Sequence, residues 1–262
     1  MPNIVVLVKQ VPDTYSERKL SDADHTLDRA GADDSVLDEI NERAIEEALQ
    51  IKEASDGEVT VVSMGPDSAA DAIRKALSMG ADKAVHVVDD ALHGADMLQT
   101  AKVLAKAIGT VEGVDLVIAG NEASDGTGGA IPAMLAELLG FPQLTHAREV
   151  TVDGSTIKVT RETEEGLTHL EASLPAVVSV VEKINEPRYP SFKGIMAAKK
   201  KPVETIGIAD LGIDAGEVGL ANAWSTVVEA SPKPPREAGQ RVEDDGEGGV
   251  KIAEYLVGQK LI

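Results

Sequence analysis

Four short apolar runs, separated by longer amphipathic stretches, place the strongest constraint on what this chain can fold into. "NIVVLVK" (Asn3–Lys9) is rich in β-branched residues and lacks polar alternation, as expected of a strand buried on both faces. Similar runs recur at Glu58–Met64, Lys83–Val88 and Val114–Gly120. Between them lie helical patterns. "DEINERAIEEALQIKEA" aligns Ile40, Ala44, Ala48 and Ile51 on one stripe, with carboxylates opposite that read as a solvated face. "DSAADAIRKALSMGA" aligns Ala70, Ile73 and Leu77, and "DMLQTAKVLAKAI" aligns Met97, Ala101, Leu104 and Ile108. Strands alternating with helices of this length make βαβ units with right-handed crossovers. The fold class is α/β: an open, mostly parallel, Rossmann-like sheet with helices on both faces.

One more helix, "IPAMLAELLGFP", ends at Gly140, and there the rhythm changes. "AREVTVDGSTIKVTRETEEGLTHLEA" alternates polar and apolar residues across turns at Asp153-Gly154 and Glu165-Gly166. That pattern predicts a small antiparallel hairpin addition over about 147–172. "LPAVVSVVEKI" returns to a buried strand. From Pro202 the text is loop-like, Ser231–Gln240 is a Pro-rich spacer, and "VKIAEYLVGQ" forms a short terminal helix. Its Ile252, Tyr255 and Leu256 suit an arm that packs on a partner rather than a solvated tail. Residues 1–202 thus read as one α/β domain and 203–262 as an extended C-terminal arm.

Composition narrows the function. A chain of 262 residues with 43% hydrophobic content can bury a large core. Zero Cys excludes disulfides, Cys-ligated clusters and a thiol nucleophile. The net charge of −20 argues against a nucleic-acid groove. It fits either ordinary solubility or a high-salt (halophilic) cytoplasm, and the scarcity of large apolar residues favours the second. No apolar run approaches the roughly 20 residues needed to span a bilayer, and "MPNIVVLVKQ" lacks a targeting pattern. The expected compartment is the cytoplasm.

The fourth strand runs into "GNEASDGTGGAIP" (Gly120–Pro132), which opens a helix. Its glycines permit tight bends and expose backbone N–H groups, as a phosphate cradle at a helix N-terminus requires. Ser124 and Thr127 add hydroxyls, and Asp125 can cap the helix or hold a ribose. A plain connector explains the same glycines, and the loop matches neither the GxGxxG fingerprint nor a P-loop. His25, His86, His93, His146 and His169 are scattered without metal-ligand spacing, His86 reading as a core or sheet-surface residue; no GxSxG elbow exists. No self-contained catalytic or metal site is expected, which points to a binding or carrier module.

One segment is unlike its surroundings. "NEPRYPSFKGIMAAKKK" (Asn185–Lys201) carries Arg188, Lys193 and Lys199–Lys201 in an acidic chain, and Tyr189 and Phe192 among only six aromatic residues. Together with "VLVKQVPDT", "AIEEALQIKE", "SMGPDSAADAIRKALSMGADKAVHV" and the preceding "LPAVVSVVEKI", it makes nearly the whole chain resemble the electron transfer flavoprotein beta subunit. The resemblance implies a subunit with no flavin chemistry alone. Its partner is an alpha subunit holding most of the electron-transferring FAD. The beta subunit holds AMP in the ordinary branch, or a second FAD in the flavin-bifurcating branch toward which "VKQVPDT" leans.

Carried over by position, the nucleotide would meet Leu7, Val8 and Lys9, Asp38 and Asn41, Met64, and the loop Gly120, Asn121, Ser124, Asp125, Gly126, Thr127, Gly128, Gly129 and Ala130. Relatives commonly carry Asn-Pro-Phe near Asp38–Ile40 and polar residues where this chain has Gly128, Gly129 and Ala130, so backbone N–H groups replace side-chain contacts here. Arg161 and Glu162 match residues near the alpha-subunit flavin and the docking dehydrogenase. The stretch of about 185–201 matches a recognition loop whose anchor is Phe192, assisted by Tyr189; the alternative is that these rings are buried. Implied partners are dehydrogenases such as acyl-CoA dehydrogenases and, indirectly, a membrane quinone oxidoreductase. Two α/β rivals are a stand-alone ATP/AMP-binding regulator of universal-stress type and an ATP-pyrophosphatase. The first needs neither the hairpins nor residues 185–201, and the second needs an SGGxDS-like loop where "VKQVPDT" stands.

Overall fold

A computed structural model describes residues 2–29, 31, 34–231, 233–235, 239 and 241–262. The chain order is β1 (Asn3–Leu7), β2 (Gln10–Pro12), β3 (Ser35–Leu37), α1 (Glu39–Ser55), β4 (Glu58–Met64), α2 (Ala70–Met79), β5 (Lys83–Val87), α3 (Met97–Ile108), β6 (Leu116–Gly120) and α4 (Ile131–Leu139). Then come β7 (Gln143–Asp153), β8 (Thr156–Thr163), β9 (Gly166–Ser173), β10 (Ala176–Val180), α5 (Phe192–Ala198), β11 (Val203–Ile206) and α6 (Gly248–Gly258). Residues up to Val228 form one compact unit and Glu229–Ile262 a second.

Nine strands build one sheet in the order β11-β5-β4-β1-β6-β10-β7-β8-β9, and β2 and β3 pair separately. The sheet is parallel from β11 to β7; the last two pairings, β7 with β8 and β8 with β9, are antiparallel, as the alternating hairpin sequence predicts. Successive strand residues point to opposite faces. Ile4 and Val6 of β1 pack with α1 and α2, while Val5 and Leu7 pack with α3 and α4. Both faces are therefore covered, which is why these strands read as unbroken apolar runs.

Two expectations change. Val203–Ile206, read as loop, is an edge strand paired with β5; four residues with an exposed middle leave little periodicity to detect. The carboxylates of α1 are not uniformly solvated, because Asp38, Glu46 and Glu47 are buried. Their partners come from residues 124–188, beyond the reach of a local helical pattern. The spacer read at Ser231–Gln240 lies partly outside the described residues.

Candidate functional site

Chain order reverses around β1: β4 lies on one side of it and β6 on the other. The crevice beyond the carboxyl ends of these two strands is where an open α/β sheet binds ligands. Lys9, just past β1, donates its backbone N–H to Asn41 Oδ1 (2.8 Å), and its carbonyl accepts from Asp38 N (3.0 Å). Asp38 caps α1 with Oδ1, accepting from the backbone of Ile40 and Asn41, and its Oδ2 accepts from Ser124 N at 2.7 Å. One buried carboxylate thus fixes both the start of a helix and the Gly-rich loop after β6.

The loop is held at a second point. Asp125 lies 2.8 Å from Lys9 Nζ and 3.4 Å from an Arg29 nitrogen, with its side chain only 3% exposed. Thr127 and Gly129 take positive φ (46° and 64°), while residues 126–129 stay exposed. At Gly120 a Cβ would stand 2.7 Å from Asn41 Nδ2, so only glycine lets the strand end meet α1.

Two features are unspent. Ser124 Oγ is buried and finds no hydrogen-bond partner among the described residues. Helix α4 begins after Ala130 with no side-chain cap, so its first N–H groups face the loop unpaired by any side chain. Orphan donors, an uncapped helix start and two nearby cations are what an anionic phosphate requires. A phosphate group fits this donor set.

The structure brings together Leu7, Val8, Lys9, Asp38, Asn41 and the loop from Gly120 to Ala130. Met64 ends the neighbouring β4, paired with Val87 of β5. Arg161 is farther along the same rim: Gly120, Val180, Ala147 and Arg161 are paired in one row across β6, β10, β7 and β8. At about 4.8 Å per strand that is roughly 14 Å. Its guanidinium donates to the carbonyl (2.7 Å) and hydroxyl (2.8 Å) of Thr145, and Glu162 pairs with Arg148 at 3.0 Å. Tyr189 and Phe192 stand apart from the crevice, 96% and 81% exposed, so neither ring is buried.

Sequence reading missed Arg29, which reaches Asp125 across 96 residues, and no local signal marks it. It also missed Lys201, whose ammonium is not a solvated turn residue but donates to the carbonyls of Leu77 and Ala81 at the end of α2. His86 is buried in β5, and desolvation pushes its pKa down. Among the described residues no helix is long and apolar enough to cross a membrane.

A family model described as "Electron transfer flavoprotein domain" matches residues 26–211. The chain is 64% identical over 267 residues to electron transfer flavoprotein subunit beta of Mycobacterium tuberculosis (strain ATCC 25618 / H37Rv), covering 100% of both. It is 37% identical to the protein of the same name from Megasphaera elsdenii, covering 99% of both. It is 38% identical to caffeyl-CoA reductase-Etf complex subunit CarD of Acetobacterium woodii, over 90% of this chain and 89% of that protein.

Proposed function

Because the chain belongs to the electron transfer flavoprotein family as a beta subunit, we propose that it works in the cytoplasm as the adenylate-holding, partner-docking half of a heterodimer. The single observation carrying the nucleotide reading is the buried, unpartnered Ser124 hydroxyl beside the uncapped start of α4. The ligand is AMP or the adenylate half of a second FAD; both present the same phosphate. Backbone N–H groups of Gly128, Gly129 and Ala130 and the Ser124 hydroxyl bind it, while Asp125 keeps the Lys9 and Arg29 cations close by. Asp38 and Asn41 hold the loop in register with β1. FAD held mainly by the alpha subunit supplies the redox chemistry.

Arg161 and Glu162 lie on the rim that faces this flavin in the proposed heterodimer. Of the arm read at 203–262, residues 229–262 pack on the alpha subunit, since β11 and the residues up to Val228 belong to the first unit. Exposed Tyr189 and Phe192 form the docking prong for dehydrogenases, acyl-CoA dehydrogenases among them, with onward transfer through the alpha subunit to a membrane quinone oxidoreductase. Exposed aromatic anchors concentrate binding energy at interfaces, which suits a protein that carries so few rings. The stand-alone regulator and the pyrophosphatase both fall with the family assignment.

Coexpression with the alpha subunit, followed by mass analysis of heat-released ligand, tests this. A yellow heterodimer releasing AMP, or FAD beyond one per heterodimer, is expected. A colourless homodimer, or a yellow heterodimer with no adenylate on this subunit, overturns it.

A further inference from the structure

The segment 185–201 is exposed at its rings yet fastened at both ends. At its start, Asn185 Nδ2 donates to the Arg43 carbonyl (3.1 Å) and to Glu47 Oε2 (3.1 Å), and its own carbonyl accepts from Arg43 Nη1 (2.9 Å). Arg188 then makes five contacts with two carboxylates of α1. Its backbone N–H and Nε donate to Glu46 Oε2 (3.1 and 2.7 Å), and Nη2 donates to Glu46 Oε1 (3.0 Å). Nη1 and Nη2 also reach Glu53 at 2.5 and 3.2 Å. At the far end, Arg74 Nη1 donates to the Ala198 carbonyl (2.8 Å), and Lys201 closes on α2. Between the anchors α5 lies so close to α2 that a Cβ on Gly194 would collide with the Ser78 carbonyl.

Glu46 and Glu53 are two helical turns apart on one face of α1, and Glu46 is buried. Only a planar guanidinium fork can serve both carboxylates at once; an ammonium is a point charge. A buried carboxylate of this kind adds little net stability, and its best-attested benefit is fixing one arrangement among several. The arrangement fixed here is the direction in which the chain leaves Arg188, and the next residue is Tyr189.

We infer that Arg188 is a positioning residue for partner docking, holding the segment from Tyr189 to Phe192 at the start of α5 in one conformation so that a dehydrogenase meets a preformed apolar prong. The inference rests on the docking reading above. Preorganisation acts on affinity rather than on the chemical step, since it removes the ordering cost of association.

The test uses the complete heterodimer with an acyl-CoA dehydrogenase of the same organism as probe. Arg188→Ala is expected to raise the KM for the heterodimer about tenfold with the loss confined to KM, and to speed chymotryptic cleavage after Phe192. Arg188→Lys should fall between it and wild type, and it decides the matter if Arg188→Ala fails to fold. A merely structural role would instead lower heterodimer yield, nucleotide content and kcat together. Wild-type KM in both Arg188 variants, while Phe192→Ala raises KM, overturns the positioning role and leaves the docking reading standing. Wild-type KM in all three variants overturns both.

Discussion

The Lys9 ammonium stands 2.8 Å from a carboxylate oxygen of Asp125, joining the end of β1 to a loop 116 residues away. A nearly enclosed carboxylate must keep its counter-charges, because desolvation is repaid only by close pairing. Lys9→Met leaves Asp125 with Arg29 alone, at 3.4 Å. The expected loss is about 2 kcal/mol in urea unfolding, with reduced nucleotide retention. Adding Asp125→Asn should recover part of that loss, since a neutral amide needs no cation. Strictly additive effects in the double-mutant cycle would show that the two groups are uncoupled.

Gly120 and Gly128 lie in the same loop but face different neighbours. A Cβ at Gly120 would press on Asn41 Nδ2, the Glu122 carbonyl and Ile40, displacing the amide that holds Lys9. At Gly128 the obstacle is the Met97 thioether, the flexible end of a side chain that can swing aside. Gly120→Ala should therefore cost about 2 kcal/mol or more, and Gly128→Ala less than about 1 kcal/mol. Thermal midpoints of the two variants side by side check the contrast.

Glu46 and Glu47 are adjacent, both buried, and perturbed in opposite directions. Burial would raise the pKa of Glu46, but hydrogen bonds from Arg188 and Gln50 outweigh it and hold the carboxyl below its ordinary value. At Glu47 burial prevails over the Asn185 hydrogen bond, and the Glu46 charge adds to the rise. A lowered native pKa contributes stability above the unfolded value, lost as pH falls through the native one. A raised native pKa works the other way, removing stability as pH climbs from the ordinary value through the raised one. Glu46→Gln should cost about 1–2 kcal/mol near pH 7 and progressively less on acidification. Glu47→Gln should be neutral or stabilising near pH 7, and that advantage should vanish near pH 4. Urea midpoints across this range read both signs.

With a net charge of −20, the folded chain repels itself at low ionic strength. Raising KCl shortens the screening length from about 30 Å at 0.01 M to about 3 Å at 1 M. The unfolding midpoint should rise over that interval. A flat or falling curve would show that the acidity serves solubility without burdening the fold.

Elements made by neighbours in sequence were readable before any coordinates. The β-branched runs at Asn3–Lys9 and Val114–Gly120 and the stripe on α1 announce themselves locally, and they determine the crevice. Family resemblance alone sets Lys9, Asp38 and Asn41 beside the glycine loop, whose position between the fourth strand and a helix is legible in the sequence. What stayed hidden depends on long-range closure. The grip of Glu46 on Arg188 spans 142 residues, and that of Arg29 on Asp125 spans 96. A helical wheel assigns Glu46 and Glu47 to water because it cannot show another segment arriving over that face. Helix α5 was missed for a related reason: its seven residues, opened by the Ser191 side chain, are held chiefly by packing on α2.

Trp224 is the chain's sole tryptophan; its ring is 85% exposed, while its backbone N–H is fastened to Asp96 at the cap of α3. Intrinsic indole emission from this subunit therefore has one address. Any companion settling over that corner would announce itself as a blue shift, or as quenching by a nearby isoalloxazine, with no label attached.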